Sequence, residues 1–244
     1  MSSLDDAATR AVHAIDSGQG QIAFACANSN SMNVARHDET FRRALLDADQ
    51  LVADGIGVSL VARLARKDVG PRIIGQQYFE AVLGKLRARG RGRIFFFGSS
   101  QTVLELIRQR FPAEYPALTL CGAISPPFGE WSKQQNDEFI QAINAAEPDV
   151  LWVGMTAPKQ EKWVFENRRH LNAAVIGSVG AVFDFYAGTV KASPEWIRKW
   201  GLEALYRLIV EPRRLWRRVL ISNVRFVGVG LWSEVLGFRG DRRN

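Results

Sequence analysis

A carboxylate followed by two spaced glycines, Asp54-Gly55-Ile56-Gly57, stands directly after the short apolar run Leu51 to Ala53. At the end of a buried strand, with glycines opening space around it, such a group is placed as a general base would be, ready to take a proton from a bound hydroxyl. Capping of the helix that follows is the other use of an aspartate there. A second concentration of reactive types lies between Asp149 and Gly188, where the apolar runs Val150 to Val153 and Ala173 to Ile176 each lead into a glycine, Gly154 and Gly177. Those glycines are expected to turn the backbone tightly where a side chain would obstruct a ligand. Ligands of open α/β sheets lie beyond the carboxyl ends of the strands, which puts Pro158, Lys159, Gln160 and Glu161 on one rim. The loop from Gly177 to Asp184 is expected beside it. Asn28, Ser29, Asn30 and Ser31 follow a further short run and are placed to cap the next helix.

Metal chemistry finds little support in the residue types. His13, His37 and His170 are the only imidazoles, and Cys26 and Cys121 have no CxxC spacing, so neither a zinc site nor a disulfide framework is expected. The triplet Asp47-Ala48-Asp49 has the D-x-D form of metal-dependent sugar transferases, but it falls at a helix end before the strand and is read as structural.

The elements that must position these groups alternate regularly. Strands are expected at 21–25, 51–53, 93–97, 118–120, 150–153 and 173–176, with helices over the first fifteen residues, 32–47, from 58, from 77, 101–110 and 136–146. Gly98-Ser99-Ser100 offers a strand-to-helix step that suits a phosphate or ordinary capping, and the G-x-G-x-x-G dinucleotide fingerprint is missing. Repeated strand, loop and helix imply a doubly wound, mostly parallel Rossmann-like sheet. At 244 residues, 47% hydrophobic and 23% charged, the chain can bury one sizeable core. The polar N-terminus shows no export signal, so a reducing cytoplasmic setting is expected.

Charge divides the chain in two. Residues 1–190 carry 20 Lys and Arg against 20 Asp and Glu, whereas residues 191–244 carry 12 against 5, which is the whole net charge of +7. The second part also holds Trp196, Trp200, Trp216 and Trp232 among Leu, Val and Phe. Arg225 and Glu234 interrupt any run long enough to cross a bilayer, so a helical, amphipathic appendage on anionic lipid is expected. A catalytic domain over 1–190 and a membrane-associating appendage over 191–244 follow from this division. Helices packed on the body with a solvated basic face are the alternative. An exposed apolar tail is also expected to associate with itself away from lipid.

In combination, FACANSNSM at 24–32, VADGIGVSLVARL at 52–64, PDVLWVGMTAPKQEKW at 148–163, IGSVGAVFDFYAG at 176–188 and GLEALYRLIVEPRRLWRR at 201–218 resemble the WecG/TagA/CpsF family of bacterial glycosyltransferases. The stretch G-x-x-x-P-K-Q-E-x-W is the most specific of these. The resemblance implies an inverting, metal-independent transfer of a hexose or N-acetylhexosamine from a UDP-sugar to a polyprenyl-diphosphate-linked saccharide, at the inner face of the cytoplasmic membrane, in exopolysaccharide or cell-wall polymer synthesis. It makes Asp54 the base and places Asn28, Cys26 and Gln160 with it at the catalytic centre. Pro158, Lys159, Gly177, Gly180 and Asp184 are then expected along the donor, and Arg207, Arg214 and Arg217 over its diphosphate. Guanidinium groups are the obvious substitute for a metal ion when a diphosphate leaves.

Four positions depart from the family pattern: Cys26 replaces Thr of T-x-N, Gln77 replaces an Asp, Ala192 an Arg and Ala204 a Trp. The thiol weakens any role for a hydroxyl beside Asp54, and Gln77 tilts the expected donor toward a neutral hexose. Two rival readings have their own features. Basic residues interleaved with Trp also suit nucleic acid or another anionic surface, although the neutral body speaks against nucleic acid. A nicotinamide-dependent oxidoreductase would use the same sheet, but the glycine fingerprint and its acidic ribose partner are absent.

Overall fold

The computed structural model describes residues 3–191, together with Pro194 and Tyr206. Six strands form one sheet: β1 (Ile22–Ala27), β2 (Gln50–Ala53), β3 (Arg93–Gly98), β4 (Thr119–Ile124), β5 (Val150–Gly154) and β6 (Val175–Ser178). Their order is β2-β1-β6-β5-β3-β4, and every pairing is parallel. All six carboxyl ends therefore open on one edge, as the alternating pattern implied. Around the sheet lie α1 (Leu4–Ser17), α2 (Ser29–Ala35), α3 (Glu39–Asp47), α4 (Ile56–Leu64), α5 (Gly75–Arg89), α6 (Gln101–Glu114), α7 (Lys133–Ala145), α8 (Lys159–Asn167) and α9 (Val182–Ala187).

Successive strand residues point to opposite faces, so each strand feeds two cores. Phe24, Val52, Ile94, Phe96, Val150, Trp152 and Val175 pack under α1, α5, α6 and α9. Their neighbours Phe95, Phe97, Leu151, Val153 and Ile176 pack with Ile143 of α7 and Trp163 and Val164 of α8, while Ala25 meets α2 and α3. Burial on both faces explains why these strands read as unbroken apolar runs. On the outer layer α1 presents Ala7, Ala8, Ala11 and Ala14, whose small side chains let it lie close to α5.

Several local expectations change. The helix expected over 32–47 is two, because the Asp38 carboxylate accepts from Phe41 N at 2.9 Å and starts α3 afresh. Asp38 also pairs with Lys162 of α8 at 2.5 Å, which ties that cap to the next layer. Strand β4 runs on to Ile124, since Gly122 has no side chain to collide with the Phe95 ring; a Cβ there would lie 2.3 Å from it. Helix α6 continues past Arg110 through Pro112.

The Asp47-Ala48-Asp49 triplet lies at the opposite, amino edge of the sheet. Arg168 donates to Asp47 Oδ2 at 2.9 Å and to Asp49 Oδ2 at 2.6 Å, and Asp49 also accepts from Ala23 N at 2.8 Å. The two carboxylates thus pin β1 and α3 to the end of α8, a structural use as expected. Its partner, Arg168, carries no signal in the sequence.

Candidate active site

Four loops meet at the carboxyl edge, and the sheet register brings them to one level. Ala27 of β1 pairs with Ala53 of β2, so Asn28 and Asp54 emerge side by side, with Asp54 N donating to Ala27 O at 2.9 Å. On the other side, Val179 N donates to Val153 O at 3.0 Å and holds the β6 loop against the β5 loop. The chain leaves at Asp54, forms α4, and returns to the same edge at Ile73, whose N–H donates to Ala53 O at 3.1 Å. Helix α5 then starts between β1 and β6: a Cβ on Gly75 would stand 3.4 Å from Val179 O and 3.7 Å from Cys26 Sγ. Asp54, Asn28, Cys26 and the Pro158–Glu161 segment therefore occupy one rim.

Asp54 is half-buried at the mouth of this edge. The N-cap position of α4 is held by Gly55 rather than by Asp54. Beneath it sits the Cys26 thiol, pushed well above its ordinary value by burial first, then by the Asp54 carboxylate and then by Glu161. That shift favours the neutral S–H over a thiolate at this position. Asn28 caps α2, its Oδ1 accepting from Ser31 N at 3.0 Å. Gln77 likewise serves a helix start, accepting from Ile74 N at 3.3 Å.

Gln160 is 5% exposed and joins two loops. Its Oε1 accepts from Met155 N at 3.2 Å and from Gly180 N at 3.0 Å, while its Nε2 donates to Glu161 Oε1 at 2.9 Å. The P-K-Q-E rim and the Gly177–Asp184 loop are thus one unit, held from inside by an amide. Gly180, at φ +60°, makes the turn that presents its N–H to Gln160. Glu161, expected on the rim, has a buried role that the sequence did not disclose. It is 4% exposed, orients Gln160, and bears electrostatically on Cys26.

The role expected of Gly154 and Gly177 is different in the structure. Gly177 lies inside β6, and a Cβ on it would fall 2.3 Å from the Trp152 ring; one on Gly154 would fall 2.5 Å from Phe183. Both glycines make room for a buried aromatic ring, and the turn belongs to Gly180. Pro158 precedes α8 at its N-cap position through a cis peptide bond. Lys159 is turned aside: its ammonium donates to Gly129 O and stands 3.7 Å from the centre of the Trp131 ring. Burial lowers its pKa, with Glu130 opposing that shift. Asp184 sits in the first turn of α9, its carbonyl accepting from Thr189 and Val190. Arg207, Arg214 and Arg217 lie outside the described residues. No group of three or more His, Cys, Asp or Glu side chains among the described residues is arranged to hold a metal ion.

Comparison with known proteins narrows what this rim does. The model of the glycosyl transferase WecG/TagA/CpsF family matches residues 1–239. An N-acetylglucosaminyldiphosphoundecaprenol N-acetyl-beta-D-mannosaminyltransferase of Bacillus subtilis is 30% identical over 208 residues, covering 85% of this chain and 78% of that protein. A protein of the same description from Bacillus spizizenii is 30% identical over 186 residues, 76% of this chain and 70% of that one. Another, from Staphylococcus aureus, is 25% identical over 191 residues, 78% and 73% respectively. A transferase rather than a nucleic-acid binder or an oxidoreductase is what these relatives favour.

Proposed function

Because this chain belongs to the WecG/TagA/CpsF family of glycosyltransferases, we propose that it moves a hexose or N-acetylhexosamine from a UDP-sugar to a polyprenyl-diphosphate-linked saccharide, with inversion and without a metal ion. The relatives' names speak for a lipid-diphosphate acceptor and for N-acetylmannosamine as the first donor sugar to assay. With Gln77 engaged at the start of α5, the leaning toward a neutral hexose loses its main support.

One observation carries the chemical reading: Asp54 shares its edge with the loops that Gln160 ties together. In a single displacement the acceptor hydroxyl attacks the anomeric carbon as the bond to UDP breaks. Asp54 takes the hydroxyl proton and UDP leaves with the bonding electrons, which is the division of labour general-base catalysis requires. The loop from Gly177 to Asp184 would carry the nucleoside, and the 158–160 rim would border the sugar. Lys159, occupied by Gly129 and Trp131, is better suited to holding the 125–131 loop than to binding phosphate. Charge developing on the diphosphate would be offset by Arg207, Arg214 and Arg217, delivered by the basic segment from Lys191 onward when it docks on anionic lipid. That segment would serve as a separate membrane-associating unit, at the inner face of the cytoplasmic membrane. No helix among the described residues is long and apolar enough to cross a membrane.

The test is Asp54→Asn, assayed with UDP-sugars and a prenyl-diphosphate-linked N-acetylglucosamine acceptor. Transfer should fall by roughly 10²–10⁴-fold, the range that general-base catalysis supplies, while melting temperature and its rise with UDP stay the same. Wild-type turnover in that variant would remove Asp54 from the mechanism. Running the same thermal shifts with EDTA and with Mg²⁺ tests metal independence, and the anomeric configuration of the product tests inversion.

A further inference from the structure

Helix α4 is an excursion from the catalytic edge, tethered at both ends there by Asp54 N to Ala27 O and Ile73 N to Ala53 O. It is built of apolar residues, IGVSLVARL, yet none of them joins the core clusters that the described residues form. Ile56, Leu60 and Leu64 are 46%, 43% and 47% exposed. At 100° per residue they follow one another by 40°, so they make one stripe, and Ala62, the helix's buried residue, lies across the axis from it. Val69, in the return segment, is 41% exposed as well. Scattered exposed leucines need no explanation, but a helix that aligns them and withholds them from the core does.

The charges around the stripe indicate what covers it. From residue 56 to 72 the chain has Arg63, Arg66, Lys67 and Arg72 against the single acid Asp68, within a body whose charge is balanced overall. Arg63, Arg66 and Lys67 are all exposed, and Arg63 lies 20° from Ile56 around the helix, beside the stripe. An apolar stripe bordered by cations on a short helix is the pattern that lies in a bilayer interface, with aliphatic groups in the acyl boundary and cations among anionic headgroups.

We propose that α4 and its return turn are a membrane-contact element of their own, separate from the basic C-terminal segment, which seats the Asp54 edge on an anionic bilayer. The element deepens the acceptor half of the function proposed above. A prenyl-diphosphate substrate keeps its chain in the acyl layer and its diphosphate among the headgroups. A helix inserted two residues after Asp54 therefore holds the base at the depth where the acceptor hydroxyl is presented. A second copy of the chain and the chain's own C-terminal segment are the rival occupants.

Hydrogen exchange on the full-length protein separates these occupants, with vesicles of phosphatidylglycerol and phosphatidylcholine compared with pure phosphatidylcholine. The amides of residues 56–69 should exchange rapidly in buffer and be slowed at least tenfold by the anionic vesicles alone. Unchanged exchange on vesicles that do slow residues 195–225 would overturn the proposal. Slow exchange without lipid would also overturn it: concentration-dependent protection would assign the stripe to a second copy, and concentration-independent protection to the chain's own tail. As a second readout, the full-length Arg63→Glu/Arg66→Glu/Lys67→Glu variant should partition to anionic vesicles on the order of a hundredfold more weakly, from about 1 kcal/mol per cation. Its transfer to a short-chain, water-soluble acceptor should be unchanged. Exchange and partition do not depend on turnover, so loss of the transferase reading would leave this result standing, and the reverse holds too.

Discussion

Replacing Gln160 tests whether the two loops of the candidate site are held by its amide. In Gln160→Leu the side chain keeps its bulk and loses its acceptor, leaving Met155 N–H and Gly180 N–H, now 3.2 and 3.0 Å from Oε1, without that partner. An abandoned buried donor costs about 1–3 kcal/mol, and both loops are half-buried, so water recovers part of that cost. The expected loss is roughly 2–4 kcal/mol. For a chain of this length about 2–4 °C is lost per kcal/mol, which predicts a fall in melting temperature of roughly 4–16 °C. Gln160→Glu sharpens the test. Its carboxylate still accepts from both N–H groups but replaces the amide that donates to Glu161 at 2.9 Å, so two carboxylates face each other. Like charges raise the folded-state pKa of such a pair above the unfolded value of about 4.3. The folded variant then binds more protons than the unfolded chain just above that value, so its stability rises as pH falls into the window. Urea melts of the three proteins, followed by tryptophan fluorescence between pH 5 and pH 8, give the comparison. A Gln160→Leu protein as stable as wild type, or a Gln160→Glu deficit that stays constant with pH, would refute the loop-tie argument.

Other positions lend themselves to shorter tests. Gly177→Ala puts a methyl where the Trp152 ring lies 2.3 Å away, and overpacking of that kind should destabilise the fold by about 1–3 kcal/mol, read from urea midpoints. Asp38 has a pKa lowered by its hydrogen bond with Lys162 and then by Phe41 N–H. With the folded value depressed, its contribution is present above the unfolded pKa of about 3.9 and is lost as pH falls through the folded value. Asp38→Asn should therefore cost about 1 kcal/mol or less at pH 7, Asn being nearly as good a cap, and should flatten stability against pH below 4.

Much of the architecture was legible because buried parallel strands must be apolar on both faces, and runs such as RIFFFG and VLWVG have few other uses. Helix starts at Asn28, Asp38 and Ser100 follow from residues that cap their own backbone, although the start at Asp38 showed itself only as a break within one expected helix. The membership of the rim was also legible, since residues at the carboxyl ends of parallel strands share one edge whatever the strand order. Their local roles were less so. Lys159 looked like a donor contact and is engaged with Gly129 and Trp131, thirty residues distant in the chain.

By itself the sequence determined the fold class and the edge at which the candidate site residues gather, because periodicity and strand ends depend on neighbours within a few positions, and its motifs carried the family. Only the tertiary structure decided what Gln160, Glu161, Gly177 and Arg168 do. Their partners come from other strands, and a glycine needed for a turn looks the same in sequence as one that makes room for an indole. The exposed stripe of α4 belongs with them: its spacing reads as an ordinary amphipathic helix, and only the packing of everything else shows that no core among the described residues receives it.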